Sequence, residues 1–139
     1  MNVEERRKAR VGTVSGLALL AGGTAVAAVA GGAHSVFATL LLGMLAVGMG
    51  HALLDEIRRQ ARRRTLGGWA VQDTINTALL ACWAVGALTA TVLAVAPATV
   101  RAVGALLTLG YAVSCAYFVR ERRRAITTPT IEPMSTPTD

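Results

Sequence analysis

The chain has 139 residues, of which 53% are hydrophobic, and it carries a formal net charge of +6. The apolar residues fall into two long blocks instead of alternating with polar ones, a distribution that argues against a soluble domain. The basic residues form three clusters beside those blocks, which favours contact with anionic lipid headgroups and disfavours nucleic acid as the partner.

The first apolar block covers residues 11–54 and follows a charged head at residues 1–10. As one helix, its 44 residues would be about 66 Å long, roughly twice the hydrocarbon thickness of a bilayer. The block is therefore expected to fold back once, at residues 31–35 (GGAHS), where two glycines break the helix. This predicts a first transmembrane hairpin with spans near residues 11–30 and 35–54.

The head and the first span also match the general form of a cleaved signal peptide, with a basic start, an apolar run and small residues around Ala25 to Ala30. The apolar run is longer than the ~7–15 residues typical of such peptides. The head also contains two acidic residues, Glu4 and Glu5. We therefore favour an uncleaved first span.

A basic loop at residues 55–73 connects the first block to the second. It begins DEIRRQARRR, which contains no helix breaker, so the second helix is predicted to continue for a turn or two until Gly67 and Gly68. Trp69 is suited to headgroup depth where the chain returns to the membrane. Asp73 provides an N-cap-like start for the third helix.

The second apolar block covers residues 74–119 and contains one break, at Pro97, where the third helix ends because proline lacks an amide donor. The fourth helix is predicted to run from about residue 102 to residue 119. Residues 120–139 form a further arginine-rich segment, at 120–124, and a tail rich in Thr and Pro, at 125–139, that is predicted to be disordered. The fold class predicted is an all-α integral membrane protein with four transmembrane helices arranged as two helical hairpins.

The two predicted hairpins resemble each other and have the same orientation. The tetrapeptide ALLA occurs at residues 18–21 and again at residues 78–81, which weakly favours a tandem duplication. Thirteen of the fourteen Lys and Arg residues lie on one side of the predicted spans, with Arg101 as the exception. The positive-inside rule therefore places both the amino and the carboxyl end in the cytoplasm. A composition rich in Ala, Gly, Val and Arg favours a bacterial cytoplasmic membrane.

Small residues recur at every fourth position in the predicted spans, which places them on one face of each helix. Such a face lets helices approach closely and gain packing contacts that lipid does not supply. The helix-packing residues predicted on this basis are Gly12, Gly16, Ala46, Gly50, Cys82, Gly86, Ala90, Ala94, Gly104, Thr108 and Ala112. The pattern leaves open whether these faces meet within one chain or between the chains of a homo-oligomer.

Three side chains that could ligate a soft metal, His51, Cys82 and Cys115, are predicted to lie at similar depth near the inner ends of their helices. A metal site needs three or four converging ligands, and neither C-x-x-C nor H-x-x-x-H is present. His51, four residues before Asp55, is expected to be solvated, and the cysteines are expected to be packing residues. The sequence also lacks paired carboxylates and a phosphate-binding loop. We expect no metal, no cofactor and no enzymatic activity.

The arginine clusters are the candidates for contact with another molecule. The residues predicted to contact lipid headgroups or an acidic partner are Arg58, Arg59, Arg62, Arg63, Arg64, Trp69, Arg122, Arg123 and Arg124. A simpler interpretation is that these charges only fix the topology. The predicted function is a non-enzymatic, oligomerising or accessory scaffold component that docks a partner or anionic lipid at its cytoplasmic face.

The alternative function is that of a membrane-permeabilising protein, either holin-like or a small channel. Small size, several spans and a charged carboxyl end are compatible with that class. Since the middle of the predicted spans contains no charged residue, four such helices would make a poor aqueous path on their own. A pore would therefore require oligomerisation.

Overall fold

The computed structural model describes residues 2–31, 36–63, 68–93 and 97–128. Of these residues, 92% are helical and none lies in a strand, so the all-α prediction is confirmed for the described part of the chain. The helices, in chain order, are α1 (Val3–Ala30), α2 (Val36–Ala61), α3 (Val71–Leu93) and α4 (Ala98–Thr127).

Each of the four helices is long and apolar enough to cross a membrane, as the sequence predicts. Their lengths of 23 to 30 residues correspond to about 35–45 Å, against a hydrocarbon thickness of about 30 Å. Many large apolar side chains point outward, and in the most apolar window of α2 only 6% of the residues are buried. Soluble monomers rarely expose so much contiguous apolar surface, so the molecule is compatible with a membrane protein.

Two of the helices extend further than the sequence indicates. α1 begins at Val3, inside the charged head, where the carboxylate of Glu5 accepts a hydrogen bond from the backbone N–H of Asn2 at 3.0 Å. α4 covers more than the predicted residues 102–119, because nothing between Ala98 and Thr127 breaks a helix. The predicted disordered tail begins at residue 125, but residues 125–127 are helical and belong to α4. The part of that tail from residue 129 onward lies outside the described residues, as do residues 32–35 of the predicted turn.

The start of α3 also differs from the prediction. The helix begins at Val71, so Asp73 lies within its first turn and is not the N-cap. Its Oδ2 atom instead accepts a hydrogen bond from the backbone N–H of Ala70 at 3.0 Å. A carboxylate in this position still satisfies a free donor at the helix start and complements the helix dipole.

The most extensive helix contacts are between α1 and α2 and between α3 and α4. A cluster of buried side chains joins all four helices: Val14, Ala18, Leu53, Ile57, Ala61, Leu80, Tyr111 and Phe118. Val14 belongs to the first half of α1 and Phe118 to the second half of α4, whereas Ala18 and Tyr111 lie near the middle of those helices. Leu53, Ile57 and Ala61 belong to the second half of α2, and Leu80 belongs to the first half of α3. The buried cluster is therefore concentrated toward the end of the molecule that holds the arginine-rich segments.

Candidate functional site

Three long-range contacts bring four helix ends together. The Nε2 atom of Gln60, near the end of α2, donates to the backbone oxygen of Arg10 in α1 at 3.1 Å. The Oε1 atom of Gln60 accepts from Nδ2 of Asn76, near the start of α3, at 2.6 Å. The Nε atom of Arg122, near the end of α4, donates to Oδ2 of Asp73 at 2.8 Å. We call this part of the molecule, residues 2–14, 53–63, 68–80 and 114–128, the basic end.

Arg122 is the centre of the basic end. Its side chain is only 2% exposed, and besides Asp73 it donates to three backbone carbonyl oxygens: those of Ala61 at 3.5 Å, Arg63 at 2.5 Å and Gly68 at 3.0 Å. A guanidinium stays charged, and burying it is costly unless acceptors surround it. Arg122 thus ties the chain between α2 and α3 to α4. The prediction that Arg122 contacts headgroups does not fit this burial.

Gln60 and Asn76 form a second buried polar group that the sequence analysis missed. Gln60 is 6% exposed and also donates to Oε1 of Glu56 at 2.6 Å. Asn76 is 1% exposed, and among the described residues its Oδ1 atom has no hydrogen-bond partner. Asp73, Asn76 and Leu80 are spaced by three and four residues and are all buried. This helical spacing of polar residues in an otherwise apolar helix was the sequence signal for an inward-facing polar group.

Other predicted contact arginines are exposed. The side chains of Arg58, Arg59, Arg62 and Arg124 are 53%, 60%, 68% and 62% exposed, and each lies within 4 Å of a carboxylate of Asp55, Glu56 or Glu121. Exposed ion pairs of this kind contribute little to stability. These guanidiniums can therefore exchange their partners for an external anion at low cost.

The other predicted contact residues have varied surroundings. Arg123 is exposed and has no ion pair within the part of the chain that the structure describes, whereas Arg63 is half-buried. Trp69 is 40% exposed and its indole Nε1 donates to Oγ1 of Thr74 at 2.8 Å. Arg64 lies outside the described residues.

The predicted packing stripe on α3 faces away from the other helices. Cys82, Gly86 and Ala90 are exposed, and the inward face of α3 instead carries Asp73, Asn76, Leu80 and, further along, Trp83 and Ala87. An added Cβ atom would meet nothing within 4 Å at Gly12, Gly16, Gly50 or Gly86. Ala46 is half-buried, Ala112 is exposed and Ala94 lies outside the described residues.

Gly104 in α4 is the predicted stripe residue with a close neighbour in another helix. A Cβ atom added there would overlap Oγ1 of Thr91 in α3 and lie 3.2 Å from the Thr91 Cβ. Thr108, one turn further along, is half-buried and its hydroxyl donates to the backbone oxygen of Gly104 at 2.9 Å. The absence of a side chain at Gly104 thus allows α3 and α4 to approach closely.

Two aromatic side chains connect the helices in the middle of the bundle. Tyr111 in α4 donates its hydroxyl to the backbone oxygen of Ala18 in α1 at 2.5 Å. Trp83 in α3 donates its Nε1–H to the hydroxyl of Ser15 in α1 at 3.1 Å. The two rings lie 6.5 Å apart and are tilted by 41°. Hydrogen bonds of this kind add to packing between apolar helices.

Replacing Gly22 with alanine is expected to destabilise the fold by about 1–3 kcal/mol through overpacking, because the new methyl group would overlap the Tyr111 hydroxyl. Adding Tyr111→Phe should restore part of the loss, although it removes a hydrogen bond worth about 0.6 kcal/mol in membrane proteins. Titration of the purified variants with SDS in mixed micelles measures the free energy of unfolding. Gly23→Ala is the matched control, since nothing lies within 4 Å of its Cβ. Equal losses at Gly22 and Gly23 would contradict the expected overlap.

The three side chains considered as metal ligands do not converge. His51 is exposed and its Nδ1 lies 3.1 Å from Oδ2 of Asp55, its neighbour one turn along α2. Cys82 is exposed on α3, and Cys115 points its sulfur at the backbone oxygen of Thr77 at 3.5 Å. The described part of the chain contains no group of three or more His, Cys, Asp or Glu side chains that could hold a metal ion.

No known protein family, curated protein or solved structure matches this chain significantly. Its own residues present a surface of exposed guanidiniums around a buried polar network at one end of an apolar bundle. That arrangement provides charge and hydrogen-bond donors for an anion.

Proposed function

We propose that the chain crosses the bacterial cytoplasmic membrane four times as two hairpins, with its amino and carboxyl ends in the cytoplasm. Two observations support this placement. The four helices expose apolar side chains along their length, a surface for which lipid is the favourable solvent. Thirteen of the fourteen Lys and Arg residues belong to the predicted inner side, as the positive-inside rule requires.

The protein acts, in this proposal, as a non-enzymatic accessory or scaffold component whose basic end binds anionic lipid headgroups. The observation that carries it is the exposure of Arg58, Arg59 and Arg62, each more than half exposed, at the end of the apolar helices. Basic residues at that depth attract anionic headgroups by about 1 kcal/mol each. Assembly into a homo-oligomer or with an acidic protein partner would build on the same surface.

Replacing Arg58, Arg59 and Arg62 together with glutamine is expected to lower the phosphatidylglycerol retained per protein after mild detergent extraction by several fold. Three headgroup contacts of about 1 kcal/mol each would be lost, and the loss should shrink at high salt because exposed charges are screened. Quantitative lipid analysis of the purified protein measures the retained lipid. Arg101→Gln is the control, since Arg101 is exposed but belongs to the predicted outer side. Equal retention by all three proteins would remove the support for headgroup binding.

A second experiment separates the scaffold role from a permeabilising one. We expect the membrane potential of a bacterial host, followed with a potential-sensitive dye, to remain steady after induced expression, with the protein verified in the membrane fraction. A sudden collapse of the potential at a reproducible time would support a holin-like pore or a small channel. The scaffold proposal would then have to be abandoned.

A further inference from the structure

A pocket opens at the basic end, beside the polar contacts that hold the helix ends together. Its volume is about 120 Å³, several times the ~10–15 Å³ that a single water molecule requires. The residues that line it come from α1, α2, α3, α4 and the connection between α2 and α3: Arg10, Gln60, Arg63, Ala70, Gln72, Asp73 and Arg122. A group the size of a phosphate can enter it.

The lining is strongly cationic, with three guanidiniums and one carboxylate. The single carboxylate, that of Asp73, is already bound by Arg122 at 2.8 Å and by the backbone N–H of Ala70 at 3.0 Å. Arg10 and Arg63 therefore supply the remaining positive charge. Within the described part of the chain, neither of their guanidiniums forms an ion pair or a hydrogen bond. They differ in this respect from the guanidinium of Arg122, which donates to Asp73.

Arg10 and Arg63 also repel each other. Partial burial, followed by the positive charges of Arg10 and Arg59, lowers the pKa of Arg63 from its ordinary value, and the carboxylate of Glu56 offsets only part of this shift. Like charges held close together beside a pocket are a source of instability that an anion between them would remove. The start of α3 lies at the same pocket and adds the positive end of a helix dipole.

We propose that this pocket binds the phosphate group of an anionic molecule, with Arg10 and Arg63 as its ligands and the side chain of Gln72 at its edge. Arginine suits this role because its planar fork presents two N–H donors to two phosphate oxygens at once. The phosphate belongs either to a lipid headgroup or to a soluble phosphate compound. As a headgroup site, the pocket extends the proposed binding of anionic lipid from exposed arginines to one defined position, and so rests on that proposed function.

The test compares the wild-type protein with Arg10→Gln, Arg63→Gln and Arg120→Gln variants in neutral detergent micelles. Each variant loses one positive charge from the same end of the molecule, but Arg120 is exposed and does not line the pocket. The thermal midpoint is titrated with inorganic phosphate against chloride at constant ionic strength. A parallel titration uses phosphatidylglycerol against phosphatidylcholine. A ligand that binds only the folded state raises the midpoint as its concentration increases.

We expect the midpoint of the wild-type protein and of Arg120→Gln to rise with the same apparent Kd. In Arg10→Gln and in Arg63→Gln the apparent Kd should be roughly tenfold higher or more, as for the loss of a charged hydrogen bond. Without ligand, the midpoint of Arg63→Gln should equal or exceed that of the wild type, because one repulsive charge has been removed. A purely structural role of Arg63 would lower it instead.

The two titrations distinguish the source of the phosphate. A rise in the midpoint with phosphatidylglycerol alone identifies the ligand as a lipid headgroup. A rise with inorganic phosphate alone identifies the ligand as a soluble phosphate compound. Either result supports the site. The proposal is overturned if neither ligand raises the midpoint, or if Arg120→Gln loses as much affinity as Arg63→Gln. The proposed function is tested separately. It fails if the variant with Arg58, Arg59 and Arg62 replaced retains as much phosphatidylglycerol as the wild type.

Discussion

Replacing Arg122 with alanine is expected to lower the free energy of unfolding by about 3–5 kcal/mol, the usual cost of removing one partner of a buried ion pair. The carboxylate of Asp73, which is 7% exposed, would lose the guanidinium that donates to it. The carbonyl oxygens of Arg63 and Gly68 would lose their donor at the same time. Since native proteins are stable by only about 5–15 kcal/mol, we expect markedly less folded protein.

Arg123→Ala is the matched control for this substitution. It removes the same charge from the next residue, which is exposed, and surface changes of this kind are usually within about 0.5 kcal/mol. Arg122→Lys should fall between the two, because an ammonium keeps the charge but lacks the planar fork that reaches several acceptors. SDS titration in mixed micelles measures the free energy of unfolding of all three variants. A loss at Arg122 no larger than at Arg123 would show that the buried guanidinium does not hold the basic end together.

Replacing Gly104 with alanine is expected to lower the free energy of unfolding by about 1–3 kcal/mol. The added methyl group would overlap Oγ1 of Thr91, and rotation of the threonine would break the hydrogen bond that it donates to the backbone oxygen of Ala87 at 2.7 Å. In the proposed membrane setting, helix association relies on close packing because lipid is as apolar as the helix surfaces. The overlap therefore weakens the contact between α3 and α4 directly.

Two further variants make this second prediction specific. Thr91→Ala in the Gly104→Ala background removes the overlapping hydroxyl and should recover most of the lost stability. Gly86→Ala, on the outward face of α3, should leave the free energy of unfolding unchanged because nothing lies within 4 Å of its Cβ. Failure of the Thr91→Ala rescue would contradict the contact. A loss at Gly86 that depends on protein concentration would indicate that α3 packs against a second copy of the chain.

The number and approximate position of the helices could be predicted because each depends on local signals. Two apolar blocks, each too long for one span, require two breaks, and the glycine at 31 and the proline at 97 provide them. α1 ends at Ala30 and α4 begins at Ala98, next to those residues. The helix limits in the charged segments were less accurate, because charged residues do not by themselves end a helix. α1 and α4 extend into those segments, whereas α2 ends at Ala61, before the glycines at 67 and 68 that are predicted to stop it.

The inward faces of the helices could not be predicted in the same way. When both the protein interior and the surroundings are apolar, the hydrophobic pattern around a helix contains little information about direction. On α3 the stripe of small residues pointed to Cys82 and Gly86, whereas the buried side chains include Asp73 and Asn76. Polar side chains such as Asp73 and Asn76 indicate the inward face more reliably, because in apolar surroundings each must find its hydrogen-bond partner within the protein.

The burial of Arg122 illustrates the same difficulty. In the sequence RERRR, the four arginines have equivalent local surroundings, and only the position of Asp73, 49 residues earlier, distinguishes one of them. A signal is nevertheless present in α4, where the buried residues Tyr111, Ser114, Phe118 and Arg122 follow a spacing of three, four and four. If this spacing is continued from the apolar part of α4 into the charged segment, it identifies Arg122 as the arginine on the inward face.

The concentration of buried side chains at one end of the bundle gives the molecule a gradient of local stability. Regions with few buried contacts open at lower free energy than the core to which they are attached. The last turn of α3 and the first turns of α2 and α4, which contain no buried side chain, therefore separate more readily than the helix ends joined by Gln60 and Arg122. An anion bound in the pocket would stabilise the basic end further. The helix turns at the opposite end of the bundle could still separate.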